Sequence, residues 1–249
     1  MIYIVAFLGI FHVNWLSYWP ELWRGGLMTV EFTAASFAGS VVVGLVLALM
    51  RESHVLPIRG LARLYTEIFK NLPLLTEIFI VYFGLASLGI KFDVFEAGSI
   101  SLIVFYAAYL SEIFRAGLEG VASGQREAAY ALGLTDSAVY SRVVLPQAIR
   151  LALPGTTTML VDMLKSTSLL ITIAGSELMT VGQLIASQTF RAMEVYFVIG
   201  AIYFAMCFPL SQFSIRIERR LAAGTPIAPS RRRIRSEAYS IQLASGGVQ

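Results

Sequence analysis

The stretch Glu127-Ala-Ala-Tyr-Ala-Leu-Gly-Leu-Thr-Asp-Ser-Ala-Val-Tyr-Ser-Arg-Val-Val-Leu-Pro146 sets the frame for the rest of the chain. It is polar and rich in helix formers, yet it lies between two of the most apolar runs, Gly98 to Leu118 and Leu151 to Ile173. Each run is long enough to cross about 30 Å of hydrocarbon as a helix. A structured polar segment between two such runs predicts a loop that lies at a membrane surface.

The composition excludes a soluble globule. Of the 249 residues, 57% are hydrophobic and only 14% are charged, and the mean hydropathy is +0.71. These values are typical of a membrane protein. The single Cys207 excludes an internal disulfide, and the two histidines, His12 and His54, form no cluster spaced for a metal. No catalytic constellation and no metal site are predicted.

Apolar length predicts an all-α polytopic bundle of five transmembrane helices. A shorter amphipathic pattern, Leu61 to Lys70, precedes the second span, and Asn71-Leu72-Pro73 predicts a bend at the membrane surface because proline breaks the helical hydrogen-bond ladder. The five predicted spans are Leu27 to Met50, Leu72 to Leu88, Gly98 to Leu118, Leu151 to Ile173 and Val195 to Ile217.

Basic residues predict the orientation, because cytoplasmic loops carry the excess of lysine and arginine. With five spans, the two termini lie on opposite sides. One side holds Arg51, Arg59, Arg63, Arg126, Arg142, Arg150 and seven arginines between Arg216 and Arg235, whereas the other holds Arg24, Lys91 and Arg191. The N-terminus is therefore expected outside and the C-terminus in the cytoplasm, with the opening stretch in the longest cytoplasmic loop.

Three regions follow from these features. Residues 1–24 are expected to be a periplasmic or interfacial lead-in, because Met1 to Phe11 is too short to span and Trp15, Trp19 and Trp23 suit an aromatic belt. Residues 25–221 form the predicted transmembrane domain, with its large loop at about 119–150. Residues 222–249 turn to Gly, Pro, Ser and Arg, which predicts a disordered basic cytoplasmic tail.

The loop has the local pattern of two short helices. Glu127 to Leu132 favours a helix, Gly133 breaks it, Thr135 is placed to cap a second helix with Asp136 in its first turn, and Pro146 is expected to end that helix. On these grounds alone, an ordinary interfacial hairpin explains the loop equally well. The predicted apolar side of the second helix consists of Val139, Val143 and Val144.

The spacing in this loop resembles a known signature. Glu127-Ala128-Ala129, three residues, Gly133, nine residues, Val143, one residue and Leu145-Pro146 match the EAA loop of bacterial ABC importer permeases. Three further stretches resemble the polar amino acid permease family (HisM/HisQ-like, with the MetI-type transmembrane fold), so that the resemblance covers about residues 22 to 221. These stretches are Glu67 to Glu77, Ala108 to Gly117, and the pair Leu145 to Pro154 and Leu164 to Leu169.

The resemblance implies a division of labour between subunits. The loop would carry a coupling helix that docks on a cytoplasmic dimer of ABC ATPases, which bind the ATP, so that this chain needs no cofactor of its own. A second permease subunit, identical or homologous, and a periplasmic or lipid-anchored substrate-binding protein would complete the importer in the bacterial inner membrane. No nucleic acid is expected. The coupling residues would be Glu127, Ala128, Ala129, Gly133, Leu134, Asp136, Leu145 and Pro146.

One feature supports this division independently of the family. Lys70, Lys91 and Lys165 follow Phe, Ile and Leu, so the chain contains no Gly-Lys of a phosphate-binding P-loop. The chain is therefore not expected to be an enzyme. The alternative class is an ATP-independent secondary transporter or channel, which would normally show paired discontinuous helices related by an inverted repeat.

Charged residues within the spans give candidates for the substrate pathway, because a charge at the bilayer centre costs about 2.5–3.5 kcal/mol. Asp162 falls at the midpoint of a predicted span with Lys165 one turn on. A structural pair and a substrate-facing Asp162 are both compatible with this spacing. In the second case Asp162 would meet the ammonium of an amino acid, with Thr156, Thr157 and Thr158 on the approach.

Other charged positions are less specific. Glu77 stands where the family more often has Gln, and Ser166 where an acidic residue is common, so the expected substrate leans only slightly towards a basic or polar amino acid. Glu77 is retained as a pathway candidate. Glu112 and Arg115 are expected to pair on one helix face, and Lys70 is expected to be solvated.

Overall fold

The computed structural model describes residues 13–224, and the regular structure in this range is helical throughout. Helix α3 contains a π-helical turn at Ile80–Gly84, and α6 contains one at Tyr140–Val144 and ends in the 3-10 segment Thr167–Ile173. The helices are α1 (Trp15–Arg51), α2 (Leu56–Asn71), α3 (Leu74–Ser87), α4 (Val94–Glu119), α5 (Ser123–Ala131), α6 (Asp136–Ile173), α7 (Leu178–Thr189) and α8 (Ala192–Gly224).

The helices have the lengths and composition of a membrane bundle. Three of them, α1, α4 and α8, are each long and apolar enough to cross a bilayer. Two bent pairs pass the same test together: α2 with α3, at an angle of 106°, and α6 with α7, at 51°. The described part of the chain therefore has three spans, or five if each bent pair counts as one, and the predicted all-α membrane fold is confirmed.

The bend between α2 and α3 lies where the proline predicted it. Leu72 is extended, with φ −91° and ψ 140°, and Pro73 follows as the N-cap of α3 with φ −64°. Because the proline ring disfavours a helical conformation in the residue before it, the chain leaves α2 at Asn71 and turns sharply. Helix α2 starts at Leu56, five residues earlier than predicted.

The first and last helices are longer than the apolar runs that predicted them. Helix α1 begins at Trp15 instead of Leu27, and it includes the exposed rings of Trp19 and Trp23. Helix α8 runs from Ala192 to Gly224 instead of from Val195 to Ile217. The predicted lead-in up to residue 12 and the predicted tail from residue 225 onwards lie outside the described residues.

The expectation that Pro146 ends the second loop helix is wrong. The chain stays helical from Asp136 to Ile173, so the loop helix and the fourth predicted span are one element. A proline crowds the carbonyl group one turn before it. The π-helical turn Tyr140–Val144, whose last bond runs from Leu145 N–H to the Tyr140 carbonyl, widens the helix at that point and lets Pro146 fit.

Helix α7 was not predicted from the sequence. It follows Ala174, which has a left-handed φ of 57°, and at 12 residues it is too short to span on its own. Glu177 caps its first turn, because the carboxylate accepts hydrogen bonds from Met179 N–H and Thr180 N–H, both at 2.8 Å. The α7 helix folds back onto α1 and α8.

Helix α4 occupies the centre of the bundle, packed along α1 and α6. Small residues allow close approach: a Cβ at Gly44 of α1 would lie 2.9 Å from Leu110 Cβ, and one at Gly117 would lie 2.8 Å from the Ala148 carbonyl oxygen. Arg51 at the end of α1 reaches Glu112 of α4. The loop after α4 therefore lies at the same end of the bundle as Arg51.

Candidate coupling loop and transport site

Helix α5 ends in a Schellman motif centred on Gly133. The Gly133 N–H donates to the Tyr130 carbonyl at 2.9 Å, and the Leu134 N–H donates to the Ala129 carbonyl at 3.2 Å. Gly133 has a φ of +79°, in the left-handed region that glycine adopts without a steric penalty. The helix break predicted at this glycine is present, and its hydrogen bonds explain why the break has a defined geometry.

The loop has an apolar core of its own. Ala129 of α5 packs with Val139 and Val144 of α6, and Leu134 covers the cluster. Leu118, Val121 and Ala148 complete it, which fixes the loop to the ends of α4 and α6. The predicted apolar side of the second loop helix is therefore confirmed, and Ser137 and Ser141 lie on its exposed side.

The start of α6 joins the two loop helices. Thr135 occupies the N-cap position in an extended conformation, but its side chain makes no capping hydrogen bond. Asp136 follows in the first turn, where a negative charge interacts favourably with the helix dipole. A hydrogen bond to the Asp136 carboxylate raises the pKa of the Tyr130 hydroxyl above its ordinary value. This contact ties α5 to α6 on the side away from the bundle.

The loop presents most of the predicted coupling residues to solvent. Leu132 is 82% exposed at the tip, and the rings of Tyr130 and Tyr140 are also exposed. This surface mixes apolar and polar groups, as a face that meets another protein does. Of the predicted residues, Ala129 is buried and Leu134 half-buried, whereas Glu127, Ala128, Gly133, Asp136, Leu145 and Pro146 are exposed.

A cluster of charges joins three helices at the loop end of the bundle, and we call it the Glu112 cluster. The Glu112 carboxylate lies 2.6 Å from Arg51 Nη1, 3.3 Å from Lys70 Nζ and 3.0 Å from Arg115 Nη2. Arg115 also contacts Glu119. The predicted Glu112–Arg115 pair is confirmed. The expectation that Lys70 is solvated is wrong, because the fold brings α2 across α4 and places its amine beside Glu112.

The second cluster lies at the middle of the bundle, around Asp162 of α6. Its Oδ1 is 3.4 Å from Lys165 Nζ, so the predicted pair is present. Its Oδ2 accepts a hydrogen bond at 2.9 Å from the hydroxyl of Tyr106, which lies halfway along α4 and is also 2.8 Å from Ser166 Oγ. Tyr106 was not predicted as a site residue, because a single tyrosine in an apolar run does not indicate which residues it contacts.

The exposure of this pair constrains what it faces. The Asp162 side chain is 49% exposed and the Lys165 side chain 57% exposed. Charges left in lipid at this depth would cost about 2.5–3.5 kcal/mol each. We therefore expect this face of α6 to be shielded from hydrocarbon and to face a hydrated cavity or another polypeptide.

The three threonines before Asp162 lie on different faces of α6. Thr158, one turn before Asp162, is exposed and donates to the Pro154 carbonyl at 3.0 Å. Thr157 is 2.6 Å from Ser214 of α8, and Thr156 borders an apolar groove that α1 also lines. Of the three, Thr158 is the exposed one, one turn from Asp162, and the place of the threonines on a substrate approach stays a prediction.

Glu77 makes no hydrogen bond to the Asp162 cluster. It is 3% exposed, in the first turns of α3 beside the buried side chains of Leu74 and Ile78. Neither carboxylate oxygen has a hydrogen-bond partner within residues 13–224. Buried polar groups without partners are uncommon and often functional. The pathway role predicted for Glu77 stays a prediction.

The arrangement of the loop and the Asp162 cluster is suited to binding a solute and to movement of helices. In residues 13–224 no group of three or more His, Cys, Asp and Glu side chains is placed to hold a metal ion. What the fold provides is a mid-bundle ion pair accessible from one face, and a structured loop at one end that is continuous with the helix carrying that pair. These features define a multi-pass membrane transport subunit.

The family is established by sequence. The chain belongs to the family of binding-protein-dependent transport system inner membrane components, whose sequence model matches residues 40–223. Members of this family are permease subunits and not themselves enzymes.

Individual relatives carry more specific names. The chain is 35% identical over 193 residues to a probable glutamine ABC transporter permease protein, GlnM, of Bacillus subtilis, covering 78% of this chain and 89% of that protein. It is 34% identical to the L-cystine transport system permease protein TcyB of the same organism, covering 82% and 88%. A crystal structure of an amino acid ABC transporter with histidines matches with a TM-score of 0.79 at 35% identity, covering 83% of this chain and 97% of that one.

Proposed function

We propose that this chain is the transmembrane permease subunit of an ATP-driven importer for polar amino acids or related compounds. The observation that carries the proposal is the likeness to a solved amino acid ABC transporter over nearly its whole chain, with a TM-score of 0.79. Relatives named as glutamine and cystine permeases support the same substrate class. The mid-bundle ion pair gives such a solute a place to bind.

ATP hydrolysis belongs to separate subunits in this proposal. A cytoplasmic dimer of ABC ATPases binds the ATP and docks on the surface formed by α5 and the first turns of α6. The exposed Leu132, Tyr130 and Tyr140 support such a contact. A second permease subunit, identical or homologous, completes the transmembrane unit in the bacterial inner membrane. An external substrate-binding protein delivers the solute to the face opposite the loop, with the N-terminus outside.

The substrate pathway in this proposal runs along the exposed face of α6 that carries Asp162, Lys165 and Thr158. Asp162 meets the ammonium group of the solute. Glu77 joins the pathway only if α3 moves, because it is buried in the arrangement described. In this proposal, Asp162 contacts the solute in the arrangement described, whereas Glu77 contacts it only after a conformational change.

The test is a pull-down of the tagged chain from detergent-solubilised membranes of its own host, followed by mass spectrometry and by ATP-dependent uptake in proteoliposomes. Recovery of an ATPase with a P-loop is expected. Glu127→Lys reverses an exposed charge on α5 and should reduce that recovery, whereas Glu21→Lys, an exposed glutamate at the far end of α1, should not. Recovery of this chain alone, with uptake that survives ATP depletion, would favour a secondary transporter or channel.

A further inference from the structure

Two oppositely charged side chains on one exposed face of α6 match the two charged groups of an α-amino acid. We propose that Asp162 binds the ammonium and Lys165 the carboxylate of the transported amino acid, and that Tyr106 is a positioning residue for Asp162. This inference rests on the proposed function. It deepens it, because it assigns a carboxylate-binding residue and states which molecules the site rejects.

Exposure distinguishes this pair from the ion pairs that Glu112 makes with Arg51 and Lys70. Arg51 and Glu112 are 2.6 Å apart, and the Arg51 side chain is 12% exposed. Asp162 and Lys165 are 3.4 Å apart, and both side chains are about half exposed. Charge-assisted hydrogen bonds are normally about 2.7–2.9 Å long. The Asp162–Lys165 contact is longer than this, as is the Lys70–Glu112 contact at 3.3 Å. It differs from the Lys70–Glu112 contact in exposure, since both of its side chains are about half exposed and a solute can reach them.

Tyr106 fixes which oxygen of Asp162 is available. The tyrosine ring is buried in the apolar core, and its hydroxyl donates to Oδ2 at 2.9 Å. This bond holds the carboxylate against α4 and leaves Oδ1 as the oxygen directed to Lys165 and to the exposed face. An arriving ammonium would meet one oriented acceptor instead of a freely rotating carboxylate.

Charge balance explains why a zwitterion suits this site. An α-amino acid carries its ammonium and its carboxylate on one carbon atom, so it replaces the Asp162–Lys165 contact with two new ones and leaves neither side chain uncompensated. An amine that lacks the carboxylate would leave Lys165 unpaired, and an acid that lacks the amine would leave Asp162 unpaired. Leaving one partner of a charge pair uncompensated is unfavourable, although less so at a half-exposed pair than at a buried one. The pair therefore selects the class of solute and leaves the choice of side chain to other residues.

The test combines uptake in proteoliposomes that contain the intact complex, isolated with its partner subunits, with competition for binding in detergent. Labelled histidine, arginine and glutamine are screened for ATP-dependent uptake. The best of them is then bound to the detergent-solubilised permease–ATPase complex without the substrate-binding protein. There it is competed with its unlabelled form and with its carboxylate-free amine: histamine, agmatine or 4-aminobutyramide. For the unmodified complex, the amine should need about a 10- to 100-fold higher concentration for half-inhibition, which is the value of one charge-assisted contact.

Two variants separate the role of Lys165 in binding the carboxylate from the role of Tyr106 in positioning Asp162. Lys165→Met should weaken competition by the amino acid about 10- to 100-fold. Competition by the amine should stay unchanged or become stronger, because no lysine is then left unpaired, so that the ratio between them falls to one or below. Tyr106→Phe keeps the ring and should weaken both competitors alike, so that the ratio is preserved. Lys91→Met, at an exposed lysine between α3 and α4, is the matched control and should change neither value.

The outcomes distinguish this inference from the proposed function. Uptake with equal competition by amino acid and amine in the unmodified complex would overturn the zwitterion assignment without any variant, and so would a preserved ratio in Lys165→Met. If Lys165→Met does not assemble, Lys165→Gln gives the same comparison. Absence of ATP-dependent uptake of all three amino acids would instead contradict the proposed function.

Discussion

Replacing Gly133 with alanine tests whether the geometry of the loop matters for the ATPase contact. A Cβ at this position would meet nothing within 4 Å, so the substitution causes no clash. Its cost is conformational, because the φ of +79° lies in the left-handed region. An L-residue pays about 1–2 kcal/mol there, which lowers the population of the observed loop by a factor of about 5–30.

The assay is a titration of the purified ATPase onto the detergent-solubilised permease, with the apparent Kd as the readout. Gly133→Ala should raise the Kd about 5- to 30-fold if the ATPase recognises the observed loop. Gly133→Pro should raise it further, because proline fixes φ near −65° and removes the N–H that donates to the Tyr130 carbonyl. Gly133→Asn should resemble the unmodified chain more closely, since asparagine tolerates the left-handed conformation.

Gly124 offers the matched control. It lies on the exposed side of α5, a Cβ there would also meet nothing within 4 Å, and its φ is not left-handed. Gly124→Ala should leave the Kd unchanged or slightly lower, because alanine favours a helix by about 0.5–1 kcal/mol. Equal Kd values for Gly124→Ala and Gly133→Ala would refute the reasoning, since the strained loop would then bind the ATPase as well as the relaxed one.

Three further substitutions test the packing of the bundle in detergent. Gly44→Ala should lower the midpoint of thermal unfolding by several degrees, because overpacking costs about 1–3 kcal/mol, whereas Gly26→Ala on the same helix has open space and should not; equal midpoints would contradict the close helix contact. Glu112→Gln should lower the midpoint more than Glu119→Gln, because it weakens three ion pairs instead of one; the reverse order would show that the Glu112 cluster contributes little. Glu177→Ala should speed hydrogen exchange of the α7 amides, since loss of a helix cap costs about 0.5–2 kcal/mol, and unchanged exchange would exclude a capping role.

Features set by local chemistry could be predicted from the sequence. Apolar length identified α1, α4 and α8, the helices that are long and apolar enough to span on their own. The restriction that Pro73 imposes on the residue before it placed the bend between α2 and α3. Gly133 marked the helix break because few other residues adopt its backbone conformation. The Asp162–Lys165 pair followed from helical spacing alone. Each of these depends on residues within a few positions of one another.

Features set by tertiary contacts could not be predicted. Pro146 looked like a helix end, but a π-helical turn just before it keeps α6 continuous. Helix α7 is too short to be recognised by apolar length, and its position depends on packing against α1 and α8. Tyr106 and Lys70 find their partners 56 and 42 residues away in the chain. The spacing of apolar residues within one segment does not predict contacts between residues so far apart in the chain.

The continuity of α6 gives the proposed coupling a physical route. Asp136, at the loop, and Asp162, at the mid-bundle site, lie on one helix about 39 Å apart along its axis. A displacement of the loop by the ATPases could therefore reach Asp162 along one continuous helix. The Glu112 cluster holds α4 to α1 and α2, so α6 would have to move against α4. Helices α4 and α6 contact each other through small residues. Beside Asp162, the Tyr106–Asp162 hydrogen bond also joins the two helices. Under the proposed function, the same bond that orients the carboxylate for the solute is the one that a shift of α6 would break.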